Sequence, residues 1–198
     1  MQTLWDWRRT VADLYAHVRS EPDPVLAWRH WRAVRDRLYG THAQTPLEDT
    51  TGFTALPFFD YDPAFRFLVD IEPSEGEALE MPAGQDGSVR LNPFGRTVGL
   101  AERLGGELTV YWMHGYCGGV FLPFADATSG RETYGGGRYL LDTIKSADLG
   151  AVGGRTVLDF NFAYNPSCAY SVRYVCPLSP RGNRLTVGVR AGERAVIV

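Results

Sequence analysis

Cysteine is scarce in this chain. Three residues in 198, an odd number, do not supply the paired framework of a small secreted disulfide domain. Charge of one sign is lacking too. Lys and Arg number 20 against 23 for Asp and Glu, so the formal net charge is -3 and the pI near 5.8. There is no overall positive field for a polyanion, and nucleic acid is not an expected partner. No apolar run approaches the roughly 20 residues that cross a bilayer. The opening Met1-Gln2-Thr3-Leu4-Trp5-Asp6-Trp7 has no charged start, apolar stretch or small-residue cleavage site of a secretory signal. A cytoplasmic protein with no membrane partner is the expectation. What is present is a 44% hydrophobic and 13% aromatic composition, enough for one well-buried core. A single domain over 1–198 is expected, with a helical segment at 1–40 and a β-rich body at 41–198.

Leu4, Trp7, Val11, Leu14 and Val18 recur at helical spacing, which predicts an amphipathic helix over 3–20 stopped by Glu21-Pro22. Asp23 then reads as an N-cap with Pro24 in the first helical position. Trp28, Trp31, Val34 and Leu38 mark the inner face of a second helix ending near Gly40. Arg29, Arg32, Arg35 and Arg37 on that helix read as a solvated face, with Arg32 paired to Asp36. After Thr41, alternation of period two takes over. Strands are predicted at 65–71 and near 88–91, 96–102, 107–113, 119–124, 156–163, 184–190 and 194–197, with a hairpin around Gly115–Gly118. Residues 72–87 read as a mobile connection. Many short strands with few helices predict a mainly β fold, an antiparallel meander curled into a barrel or strongly bent sheet, with the two helices over one face or opening.

Candidate chemistry gathers between 121 and 193. No recognised nucleophile, metal or phosphate signature occurs there. Tyr134-Gly135-Gly136-Gly137-Arg138, preceded by Asp126, Thr128, Ser129 and Thr133, suits an anion-binding turn, with Arg138 as a fork of donors. It has neither the ending of a P-loop nor dinucleotide spacing. Alternation over 157–164 sets Leu158, Phe160, Phe162 and Tyr164 against Val157, Asp159, Asn161 and Ala163, and the polar face either meets water or lines an interior. Cys168 and Cys176 lie too far apart in sequence for a zinc knuckle; His114 and Cys117 would be needed to complete four ligands. Reduced thiols with no metal and no cofactor are expected.

The runs D-A-T-S-G-R-E-T-Y-G-G-G-R-Y-L, L-D-F-N-F-A-Y-N-P-S-C-A-Y and C-P-L-S-P-R-G-N-R-L-T-V-G-V-R-A-G-E resemble the bacterial and archaeal DUF1684 family of uncharacterised proteins. W-R-A-V-R-D-R-L and F-F-D-Y-D-P-A-F-R resemble its earlier blocks more loosely. Matching motif residues are Asp126, Thr128, Ser129, Thr133, Tyr134, Gly135, Gly137, Arg138, Asp159, Asn161, Tyr164, Asn165, Cys168, Cys176, Asn183 and Glu193. Gly182 departs from the glutamate that the family usually has there. The resemblance implies no activity.

Three functional classes follow. In the leading one, a β-barrel-like pocket binds a small polar or anionic metabolite, using Thr133, Tyr134, Gly135, Gly136, Gly137 and Arg138 at the anion end, with Asp159, Asn161 and Asn165 orienting it. In the second, a hydrolase uses Asp126 or Asp159 as general base with Ser129 or Tyr134 nearby. In the third, the motif is a self-satisfied hydrogen-bond network with no ligand.

Overall fold

The computed structural model describes residues 1–84, 87–116 and 118–196. Cys117 and the end of the strand predicted at 194–197 lie outside them. The chain opens with helices α1 (Gln2–Ser20) and α2 (Pro24–Thr41). At the start of α2 the Asp23 carboxylate accepts the N–H groups of Val25 and Leu26 at 2.8 and 3.2 Å, satisfying donors that the first turn leaves free. Trp31 is fully buried and meets Phe58 and Phe162 edge-on, with centroids 5.5 and 5.3 Å apart.

Eight antiparallel strands follow: β1 (Arg66–Pro73), β2 (Leu79–Pro82), β3 (Ser88–Val98), β4 (Thr109–Met113), β5 (Gly119–Phe124), β6 (Arg138–Asp142), β7 (Ala151–Val152) and β8 (Arg155–Asp159). Their order is β6-β5-β4-β3-β1-β8-β7, with β2 added on β3. Register shifts at Pro93/Gly95 and Leu122/Pro123 bend the sheet into a half-barrel. Just past β8 the chain returns to β6, where Tyr139 and Tyr164 exchange backbone hydrogen bonds of 2.9 and 3.1 Å. This single bridge narrows the open side into a seam. The helices lie over one face of the sheet, and a second apolar cluster around Leu122, Phe124, Leu158 and Phe160 fills the other.

Several expectations need correction. The strands predicted at 88–91 and 96–102 are one strand, β3, followed by a short helix α3 (Ala101–Leu104). Residues 72–87 include β2, which pairs with β3. The strand expected over 156–163 stops at Asp159, whose carboxylate caps a 3-10 turn over Phe160–Phe162, and both faces of 157–164 are buried. Residues 184–190 form no strand beyond one bridge from Arg184 to Ala125, and the Val189 carbonyl accepts from the Arg138 guanidinium. Asp36 accepts the Leu56 N–H at 2.9 Å rather than pairing with Arg32. Arg32 stacks on Trp28 and Phe58, with its Cζ 5.0 and 4.7 Å from their centroids.

Candidate functional site

Asp126 and Arg138 form the first polar cluster. Asp126 is fully buried; its Oδ1 accepts from Thr128 N–H at 2.7 Å, Thr128 Oγ1 at 2.6 Å and Val189 N–H at 3.1 Å. Its Oδ2 takes Arg138 Nη2 at 3.0 Å. The same guanidinium donates to the carbonyls of Val189 at 3.0 Å, Glu193 at 3.2 Å and Ala191. Arg138 is 1% exposed, so its fork fastens the C-terminal segment to β6. Thr133 joins through its hydroxyl, 2.9 Å from that of Thr128, and Ser129 Oγ accepts the Asp126 N–H at 3.0 Å. In the glycine run, Gly137 N–H donates to the Tyr134 carbonyl at 3.1 Å. Gly137 has φ +87°, and a Cβ there would lie 2.6 Å from the Phe124 carbonyl oxygen, so this glycine is required by the turn itself.

Asp159 and Asn161 form the second cluster. Asp159 accepts from Tyr61 Oη at 3.0 Å and from Asn161 N–H and Nδ2 at 3.0 and 2.7 Å. Burial pushes its carboxyl up, against these hydrogen bonds and the nearby Arg66. Asn161 also pairs with both backbone groups of Asp62 at 2.9 and 2.8 Å. Asn183 does the same with Thr109, at 2.9 and 2.8 Å, standing in for a missing strand neighbour. Most of the polar residues singled out in the sequence are therefore joined to one another and to backbone.

A cavity of about 280 Å³ lies over the seam between α1, α2 and the chain around 139–147 and 164–167. Of the residues that the sequence suggested for ligand binding, only Asn165 lines it; Asp126, Ser129, Tyr134 and Asp159 do not. Its charged lining residues are Arg8, Arg35 and Lys145, with no Asp or Glu, and Tyr15, Tyr39, Tyr139, Tyr164 and Tyr174 supply much of the wall. Arg35 gives Nη2 to Glu193 Oε2 at 3.0 Å and to Tyr39 Oη at 3.4 Å. Its Nε is buried without a partner among the described residues, as is Asn165 Oδ1. Glu193, fully buried behind the wall, also accepts Asn165 N–H at 3.0 Å and the Tyr170 hydroxyl. Burial works against the Arg35 charge, but Tyr39, Glu193 and Tyr170 outweigh it and the guanidinium is held as a cation. Lys145 reaches Asp142 Oδ2 at 2.7 Å. Burial pushes Tyr15 up to about 12 and raises Tyr39, Tyr139 and Tyr164 also. These phenols are neutral hydrogen-bonding groups at physiological pH. The wall thus offers cations and neutral phenols to whatever enters.

Sequence reading placed Arg35 on a solvated face, whereas its side chain is only 11% exposed and paired with Glu193, and it missed Tyr39, Tyr139 and Lys145. The available signal was Arg35 itself, one turn from both Trp31 and Tyr39 on the inner face of α2 and stacked within 5.0 Å of each ring. Among the described residues no group of three or more His, Cys, Asp or Glu is placed to hold a metal, and no helix is long and apolar enough to cross a membrane.

No curated protein matches the chain. The solution NMR structure of an uncharacterized protein from Haloarcula marismortui is similar, with 32% identity over 82% of this chain and 89% of that one and a TM-score of 0.56. Residues 51–194 match the protein family of unknown function DUF1684, a span holding all eight strands, the Asp126–Arg138 clasp, the Asp159–Asn161 turn and Glu193. With that much of the architecture inside the match, the chain belongs to the DUF1684 family.

Proposed function

We propose that this protein binds a small organic anion, a carboxylate or phosphate with an apolar or aromatic body, in the cavity over the seam. The observation that carries the reading is the sign of the lining: Arg8, Arg35 and Lys145 face the space, and no acidic side chain does. A pocket of about 280 Å³ is near the lower end for small-molecule sites, which are mostly apolar with a few convergent polar groups. The tyrosine walls suit the body of such a ligand. Arg35, Lys145 and the Asn165 amide suit its charged end. Asp126, Arg138, Asp159 and Asn161 hold the scaffold that sets these groups in place.

The test is native mass spectrometry on protein purified without organic-acid buffers, followed by titration calorimetry with small carboxylates, phosphates and their uncharged isosteres. Anions should bind and the isosteres should not. Replacing Lys145 and Arg8 by Gln should weaken binding about fivefold for each cation lost, the scale of a partly exposed ion pair. Added salt should weaken it further. Failure of every anion to bind at millimolar concentration, or equal binding of the uncharged isosteres, would remove the proposal.

A further inference from the structure

Cys168 and Cys176 stand outside both the clasp and the cavity wall. Cys168 sits in a 3-10 turn, Ser167–Ala169, that follows Asn165-Pro166, and the chain from 169 to 175 loops back to bring Cys176 beside it. The Cys168 N–H donates to Cys176 Sγ at 3.4 Å, and the Tyr134 hydroxyl lies 3.6 Å from Cys168 Sγ. That backbone contact sets the Cys176 sulfur against the turn that carries Cys168. Neither is bridged, and both are only half-buried. Cysteines used as small core hydrophobes are commonly fully buried. These two belong to neither apolar cluster, sit side by side and remain within reach of a small reagent.

We infer that Cys168 and Cys176 form a peroxide-responsive dithiol, in which Cys168 is the attacking sulfur and Cys176 the resolving one. The hydrogen bond from Cys176 brings the Cys168 thiol down to about 6, with Tyr134 assisting against burial. The Cys176 thiol is correspondingly pushed up by its bond to Cys168 and by burial. Cys168 Sγ faces the Tyr134 hydroxyl and Cys176 Sγ faces the Cys168 N–H, so the side-chain hydroxyl stands at the attacking sulfur. In the first step the Cys168 thiolate attacks one oxygen of hydrogen peroxide. An S–O bond forms, the O–O bond breaks, and the leaving hydroxide takes a proton from solvent to become water. In the second step Cys176 sulfur attacks the sulfenic sulfur, forming the S–S bond and breaking S–O, and the departing hydroxide takes the Cys176 proton. The two sulfurs lose two electrons in all and the peroxide is reduced to two waters. This inference does not depend on what occupies the cavity.

The experiment uses the full chain, reduced and then freed of reductant, with hydrogen peroxide added at pH 7 before alkylation and peptide mapping. A Cys168–Cys176 cross-link should form and leave Cys117 alkylated. In untreated protein, limited iodoacetamide should label Cys168 first, with a rate that reaches half its maximum near pH 6 rather than in the ordinary thiol range. Cys176→Ser should accumulate a dimedone-trapped sulfenic acid at Cys168. Cys168→Ser should slow peroxide consumption by about tenfold or more. Any of three results would overturn the inference: both thiols staying free under peroxide that oxidises a simple cysteine peptide, a bridge made through Cys117, or first labelling at Cys176. The unmodified chain reports all three, so it does not matter whether the serine variants fold well.

Discussion

At the scale of single residues, the contrast between Arg138 and Lys145 separates a structural cation from one available to a ligand. Arg138 is 1% exposed, and its donors meet Asp126 and three carbonyls of the C-terminal segment. Removing one partner of a buried ion pair leaves the other without compensation, which typically costs about 3–5 kcal/mol. Arg138→Met should lower the unfolding free energy by that amount, read from the urea midpoint. The side chain of Lys145 is 62% exposed although its amine touches Asp142, so Lys145→Gln should change the same midpoint by about 0.5 kcal/mol or less while weakening anion binding. A stability loss at Lys145 as large as that at Arg138 would remove the distinction. Sequence alone could not make it. A guanidinium after three glycines reads identically whether it points at a ligand or at its own chain, and the carbonyls that decide the matter arrive 51 to 55 residues later.

At the scale of elements, legibility followed how far a signal reaches. Asp23-Pro24 marked the start of α2 because capping needs only the next two or three residues. β1 and the β4–β5 hairpin were visible through alternation and turn glycines. β6 was not, since Arg138-Tyr139-Leu140-Leu141-Asp142 is buried at every position and shows no period. In the opposite sense, Leu185-Thr186-Val187-Gly188-Val189 alternates like a strand but has no strand to pair with. The short helix α3 owes its start to a residue beyond its own end. Glu107 Oε1 accepts the N–H groups of Gly99, Leu100 and Ala101 at 2.9, 2.8 and 2.8 Å, while Oε2 takes the Thr97 hydroxyl at 2.6 Å. Burial works against the Glu107 charge, but those four hydrogen bonds outweigh it and hold the carboxyl below its ordinary range. A folded-state pKa below the unfolded one gives stability that is present above the unfolded value and is lost as pH falls through the folded one. Glu107→Gln should therefore cost about 1–2 kcal/mol at pH 7. The gap should close as pH drops below the ordinary carboxylate range, as followed by urea unfolding of both proteins across pH. A gap independent of pH would mean that shape rather than charge holds this turn.

At the scale of the whole molecule, the half-barrel with two covering helices was legible in outline, because many short strands and few helices leave few ways to build a core. The cavity was not. Its wall takes Arg8 and Arg35 from the helices, Tyr139 and Lys145 from the far end of the sheet and Asn165 from the chain past β8. No local pattern records that these meet, and of the residues picked out for ligand binding only Asn165 reached the wall.

The C-terminal clasp also bears on how the chain is made. Synthesis runs from the N-terminus, at about 5–20 residues per second, and Arg35 leaves the ribosome 158 residues ahead of Glu193. Asp126 and Arg138 wait for Val189 and Ala191, and Thr109 waits for Asn183 across 74 residues. Contacts of such long range form late and slowly. A nascent chain stalled before Asn183 contains all eight strands, yet Arg35, Asp126 and Arg138 lack partners that come only at 189–193. Such a stalled chain should remain sensitive to protease, while one extended past Glu193 should become resistant. Resistance already present before Asn183 would show that the sheet folds without its clasp. The last dozen residues before Arg194 would thus act as a timing element, keeping a sheet already translated from settling until its final acceptors appear.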